Sequence, residues 1–269
     1  MNTPLDGDWP GAPAYVVLRV RGGVIERVHE SGDLDEVRPW ASVSKMAVAL
    51  AFGVEIDWGF HAYSETVGPR GANFANLLSH SSGLGLEEGD PTVPIATKRV
   101  YSNFGVDHAV SAIVGESSPA EWLGHRVFQP LGMDTSALVE RPSSGVRGST
   151  NDLATLAVSW LRPDAIARET RDRLIGPYLP DLAGIVPGFG RFTPCPWGMG
   201  PEVRGEKKHW MGDWPPASFG HFGQSGSMML LNADEGIGVV ATSTEPFASW
   251  AVNLWPRWTS AMRQLALAS

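Results

Sequence analysis

Ser42 and Lys45, in Ser42-Val43-Ser44-Lys45, are the residues of this chain best placed to do chemistry. Lysine is scarce: only Lys45, Lys98, Lys207 and Lys208 occur, and only Lys45 has a serine three residues before it. The pair opens an apolar run, Met46-Ala47-Val48-Ala49-Leu50-Ala51-Phe52. Helical spacing there would put the two side chains on one face, roughly 5–6 Å apart at Cβ. Apolar surroundings desolvate an ammonium and lower its pKa, so a neutral amine can take a serine proton as the alkoxide attacks. The plainer alternative is that Ser42 caps a helix and the Lys45 amine reaches out to water. A capping box, however, wants Glu or Gln where Lys45 stands.

Two later motifs bear on the choice. Of the four tyrosines only Tyr101 is followed two residues on by asparagine, in Tyr101-Ser102-Asn103. Gly220-His221-Phe222-Gly223-Gln224-Ser225-Gly226 then leads into an apolar segment at 227–231. Singly, Tyr101 reads as a loop tyrosine and His221 as a polar residue on an edge strand. In the order Ser-x-x-Lys, Tyr-x-Asn, His-x-Gly, the sequence resembles the penicillin-recognising serine hydrolases: class C β-lactamases, D-Ala-D-Ala carboxypeptidases, and esterases and amidases of the same fold. Supporting segments are Leu77-Leu78-Ser79-His80-Ser81-Ser82-Gly83-Leu84, Gln129-Pro130-Leu131-Gly132-Met133 and Ser149-Thr150-Asn151-Asp152-Leu153-Ala154.

The resemblance implies that Ser42 is the acylated nucleophile and Lys45 its hydrogen-bonded partner. It implies that Tyr101, as phenolate or hydroxyl, shuttles the proton to the leaving group, and that Asn103 orients Lys45 and the substrate; nearby polarising groups can depress a tyrosine pKa. The third motif contributes His221, with Gly223 and Gln224 beside the substrate, and the backbone N–H groups of Ser42 and Gln224 match an oxyanion hole. His80 belongs to a structural turn under the site and is not the base. No metal and no organic cofactor is implied. One departure matters: where lactamases and carboxypeptidases of the family carry Lys-Thr-Gly, this chain has His221-Phe222-Gly223. A neutral histidine and a phenylalanine supply neither the charge nor the hydroxyl that holds a substrate carboxylate, which favours a neutral ester or amide. Trp197, Trp210 and Trp214 stand before this motif, either lining an apolar pocket or packed in the core.

The elements that must position these residues follow from pattern. Segments 14–20 and 24–28 are β-rich and meet at Arg21-Gly22-Gly23, a hairpin signal. A helix from Ser42 should end near Gly53, with a short one at 73–79 and others at 106–114, 120–128, 151–161 and 165–174. A Pro- and Gly-rich stretch, 177–216, reads as loop with short strands, followed by strands at 227–231 and 237–244 and an amphipathic helix at 249–268. Strands at both ends around helices suggest an α+β fold, which the resemblance makes β-lactamase/transpeptidase-like. Its antiparallel sheet would come from residues 1–60 plus 190–269, with a mainly helical lobe, 61–189, inserted and the site in the cleft between.

Composition narrows the function classes. The 269 residues, 43% hydrophobic and 19% charged, suit a globular chain. A net charge of −8 argues against nucleic-acid or anionic-membrane partners. Cys195 is the only cysteine, so no intrachain disulfide and no cysteine-built metal site can form. The start, residues 1–8, has neither a basic nor an apolar signal-peptide region, making a cytoplasmic location the default expectation. The expected function is a serine hydrolase acting through a Ser42 acyl-enzyme on a small-molecule carboxylic ester or amide. The alternatives are a weak β-lactamase or D-Ala-D-Ala carboxypeptidase and, from another class, a non-catalytic penicillin-binding-like module. The oligomeric state stays open.

Overall fold

Eleven strands and seven helices alternate along the chain among residues 6–268, the part described by this computed structural model. Residues 1–5, in the start read as leaderless, lie outside it. Strands β1 (Ala14–Arg21) and β2 (Val24–Ser31) form the expected hairpin. Gly22 and Gly23 both take positive φ, +58° and +81°, the combination a tight hairpin turn needs. β3 (Arg38–Pro39), β4 (Ala137–Leu138) and β5 (Val146–Gly148) make a small second sheet, and β6 (Gly184–Val186) pairs with β7 (Gly190–Phe192). β8 (Glu202–Val203), β9 (Phe219–Phe222), β10 (Met228–Asn232) and β11 (Ile237–Thr242) join the first hairpin in one antiparallel sheet, ordered β2-β1-β11-β10-β9-β8.

Alternation along the central strands divides their side chains between two cores. Val16, Leu18, Met229, Leu231 and Val240 face one, and Tyr15, Val17, Met228, Leu230 and Val239 face the other. The first core is closed by α1 (Ser44–Asp57), α2 (Phe74–Leu78), α3 (Asn103–Val114), α4 (Pro119–Leu123), α5 (Thr150–Leu161) and α6 (Arg168–Ile175). The second is closed by α7 (Ser249–Ala268), through Trp255, Trp258 and Met262. Burial on both faces explains why β10 and β11 read as unbroken apolar runs. α1 is buried from Ser44 to Glu55, the expected place for a helix that is apolar all round.

Among the element boundaries that differ from the sequence reading, three concern α1 and β9. α1 starts at Ser44, so Ser42 lies in a separate 3-10 turn, Ala41–Val43, ahead of it. α1 also runs past Gly53 to Asp57, because that glycine serves packing: a Cβ there would stand 3.0 Å from a methyl carbon of Leu174. His221 lies on its own strand, β9, and Gln224 in the turn joining it to β10. Among the described residues no helix is long and apolar enough to cross a membrane.

The β9–β10 ladder sets Gly220 against Leu230, where an added Cβ would come within 2.0 Å of the Met229 carbonyl oxygen. Gly220→Ala should therefore destabilise the fold by about 1–3 kcal/mol in denaturant unfolding, the usual cost of overpacking. Stability equal to the parent would contradict this register.

Candidate active site

The backbone turn ahead of α1 is strained and deliberately secured. Ala41 has φ +45°, in the left-handed region that L side chains rarely adopt. The Ser44 hydroxyl donates to the Ala41 carbonyl (2.6 Å) and accepts from the Val146 N–H on β5 (3.0 Å), tying that turn to the small sheet. Ser44 is fully buried with its hydroxyl committed, so it does not compete with Ser42. Ser42 faces a cavity of about 270 Å³ shared with Leu86, Tyr101, Asn103, Pro187, Trp197, His221, Phe222 and Gln224.

Of the residues singled out from the sequence, Ser42, Tyr101, Asn103, His221 and Gln224 line this one cavity. Lys45 lies behind its wall. Gly223 works through the backbone: a Cβ there would be 2.4 Å from the Trp40 carbonyl oxygen and 3.0 Å from Ala41 Cβ. Its bareness lets the β9–β10 turn close on the Ser42 turn, and Ser227 Oγ adds a bond to the Trp40 carbonyl (2.7 Å). The backbone N–H groups of Ser42 and Gln224, brought together by this contact, donate to no other group among the described residues.

Lys45 is 1% exposed. Its Nζ donates to Asn103 Oδ1 and to the Ser143 carbonyl, both at 2.8 Å, and lies 4.8 Å from the centre of the Tyr101 ring. Among the described residues no carboxylate touches it, and the hydrogen bond to Ser42 that the resemblance implied is not formed. Burial draws its pKa down from 10.5 to about 7, with Asp107 opposing the shift and Arg141 adding to it. A neutral amine has two N–H donors, which those two oxygens match, and a lone pair left over. Lys207 makes the contrast. It is equally buried, but its Nζ meets Glu202 at 2.7 Å, in a cluster where His209 (2.6 Å) and Trp210 Nε1 (2.8 Å) serve the same carboxylate.

Asn103, the first residue of α3, is capped into place by Ser102, whose hydroxyl accepts from the Gly105 N–H at 2.9 Å. Its Nδ2 donates to Glu87 (2.9 Å), which fixes the amide so that Oδ1 faces Lys45. Glu87 pairs with Arg141 (2.5 Å), Arg141 with Asp107 (2.5 Å), and Asp107 accepts from the N–H (2.8 Å) and hydroxyl (3.0 Å) of Ser143. The Ser143 carbonyl returns to Lys45, closing a ring. The sequence reading missed Glu87, Asp107, Arg141 and Ser143. The only local sign was the four-residue spacing of Asn103 and Asp107, which puts them on one helix face.

Tyr101 lines the cavity with Ser42, and its phenol is not depressed. Burial raises it well above 10, outweighing the opposing influence of Ser42, so the hydroxyl keeps its proton. His221 is buried and neutral, its pKa lowered to about 3 by burial and then by Lys45. Nδ1 donates to the Phe222 carbonyl (2.7 Å), which leaves Nε2 as an unprotonated acceptor without a partner. His80, at φ +60°, accepts the Ser102 N–H at Nδ1 (3.2 Å) and stacks on the Tyr101 ring at 4.5 Å, a structural role. Of the three tryptophans, Trp197 lines the cavity, whereas Trp210 and Trp214 are core, their indole N–H groups bound to Glu202 and the Thr259 carbonyl. Phe222 lines the cavity and also packs on Phe247 (5.1 Å) and Trp255 (5.5 Å).

With four lysines, nitrogen NMR of lysine-labelled protein can follow each amine. Lys45 should titrate near 7. Asp107→Asn, which removes a charge that raises the pKa, should move the midpoint down. Arg141→Gln, which removes one that lowers it, should move it up. A Lys45 midpoint near 10 would refute the desolvated site.

The sequence profile of the family described as Beta-lactamase matches residues 11–257. Among solved structures, a β-lactamase from Mycobacterium bovis is 31% identical, with TM-score 0.90 and 97% of each chain covered. A β-lactamase/D-alanine carboxypeptidase from Yersinia pestis, complexed with citrate, shares the fold at 19% identity, with TM-score 0.73 over 96% of this chain and 93% of its own. A simvastatin synthase mutant from Aspergillus terreus does so at 14%, with TM-score 0.78 over 97% and 96%. A search of curated proteins finds no match. A profile match reaching from ahead of β1 into α7, and nearly one residue in three shared along a whole solved β-lactamase, show that the chain belongs to the β-lactamase family.

Proposed function

We propose that this protein is a serine hydrolase that acts on a small carboxylic ester or amide through an acyl-enzyme on Ser42. The observation that carries the reading is Lys45: a buried amine without a carboxylate partner among the described residues, drawn to about 7, 4.8 Å from the ring of Tyr101, which shares its cavity with Ser42. Ser42 Oγ attacks the carbonyl carbon, and its proton passes to the Lys45 amine. The N–H groups of Ser42 and Gln224 stabilise the oxyanion; one such donor typically supplies about 3–4 kcal/mol. Tyr101, kept protonated, gives its proton to the departing oxygen or nitrogen as that bond breaks and recovers one from Lys45. Water then repeats the sequence on the acyl-enzyme and frees Ser42. The Asn103 amide oxygen and the Ser143 carbonyl hold the Lys45 nitrogen in position throughout.

The third motif supports a substrate with no carboxylate beside the scissile bond, because neutral His221 and packed Phe222 offer that group no charge. A second reading, β-lactam hydrolysis, is favoured by the 31% identical structure named as a β-lactamase. One experiment separates them. A serine-reactive phosphonate should label the peptide containing Ser42, and short p-nitrophenyl esters should show kcat/KM far above any penicillin or cephalosporin. Labelling elsewhere with Ser42 free would remove the acyl-enzyme. A cephalosporin turned over faster than every neutral ester would promote the lactamase reading.

The pH dependence has a definite sign. The reactive form of Lys45 is the neutral one, so kcat/KM for a neutral ester should rise with pH through a midpoint of about 7. It should then stay level to about pH 10, because burial holds the Tyr101 proton beyond that range. A bell-shaped profile falling between pH 8 and 10 would contradict a protonated Tyr101.

A further inference from the structure

The cleft continues beyond the Ser42 cavity. Leu86, Tyr101 and Pro187 line both that cavity and a second one of about 360 Å³ on their far side. The second cavity has exposed apolar walls: Ile185 on β6 is 61% exposed and Leu86 46%. Apolar side chains left open around a hollow beside a reactive serine suit cover by an apolar ligand.

Its charge is one-sided. Lys98, Arg99 and Arg191 line it and no carboxylate does, in a chain whose net charge is −8. Lys98 and Arg191 are exposed and form no ion pair among the described residues. Arg99 is 4% exposed, and its guanidinium donates only to the carbonyls of Ser79, Tyr178, Leu179 and Cys195. Its charge is therefore met by dipoles and not by a counter-charge. The floor is ordered: the Arg99 N–H bonds the Ala183 carbonyl (2.8 Å), and a Cβ on Gly184 would stand 2.8 Å from Arg99 Cβ. The β6–β7 hairpin is thus pressed against the arginine backbone, with Ile185 and Arg191 carried outward over the hollow.

We propose that this second cavity is a substrate subsite, seating one arm of the ester or amide that is apolar along its length and ends in a carboxylate held between Lys98 and Arg191. The inference rests on the reading of Ser42 as the acylated nucleophile. It does not restore the lactam clamp: a β-lactam bears its carboxylate close to the bond that breaks, whereas this anion lies past Tyr101 at the end of an apolar arm. Exposed cations attract a carboxylate through solvent, so the effect weakens with added salt.

The test uses the full chain and two ester series. Mono-p-nitrophenyl esters of dicarboxylic acids from glutarate to sebacate probe the acyl arm, and acetyl esters of ω-hydroxy acids probe the other. Each is compared with its methyl-capped counterpart in the parent and in Lys98→Ala/Arg191→Ala. In one series, at one chain length, the parent should favour the free carboxylate by at least about tenfold in kcat/KM, through KM, and salt should reduce the ratio. The double variant should lose it. Because the ratio is read within each protein, a general loss of activity does not affect it. No preference in either series, or an equal one in both proteins, overturns the subsite. If the parent hydrolyses none of these esters, the Ser42 reading fails instead, and binding decides the subsite. Calorimetric titration of ω-phenylhexanoate should then be at least about tenfold weaker for Ser42→Ala/Lys98→Ala/Arg191→Ala than for Ser42→Ala, and equal affinities overturn the inference.

Discussion

A lysine amine buried where no carboxylate meets it is the constraint around which the site is arranged. An isolated ammonium in such a place costs several kcal/mol, and a group so placed shifts its pKa and sheds its proton. Carbonyl oxygens of Asn103 and Ser143 match the N–H groups that a neutral amine still carries. Lys207 shows the other arrangement within the same chain, a buried amine that meets the Glu202 carboxylate directly. The two buried lysines differ in the presence of one carboxylate.

The rest of the fold fixes that amine behind the wall of the cavity that Ser42 lines. α1 is buried on all sides, so Lys45 cannot escape to water. The sheet, buried on both faces, carries β9 to the same place, and bare Gly223 allows its turn to close on Trp40 and Ala41. Phe222 ties this wall to the second core through Trp255 of α7. The third-motif departure is thus part of the packing of the C-terminal helix as well as of the cavity surface.

How far the sequence disclosed this depends on the range of each interaction. The β1–β2 hairpin was legible because two glycines and runs of β-forming residues are local signals, and the three motifs carried their order with them. The turn holding Ser42 was not, since it depends on Ser44 bonding Val146, about a hundred residues away. Gly53 looked like a helix end because its packing against Leu174 leaves no local trace. β9 is four residues long and contains Gly220, too brief a pattern to mark a strand. The direction of the Tyr101 shift turned on how fully its surroundings enclose it, which no motif states. Glu87, Asp107 and Arg141 come from three separate stretches, and only the folded chain joins them.

That ring also sets the proton inventory of the pocket. Two carboxylates and one guanidinium leave it with a single negative charge when Lys45 is neutral. On the proposed mechanism, a proton passed from Ser42 to Lys45 during attack brings the ring to electrical neutrality, and its onward passage through Tyr101 to the leaving group restores the single negative charge. The ring would thus hold one proton only while the tetrahedral intermediate lasts, a buffer of capacity one in each half of an acyl-transfer cycle.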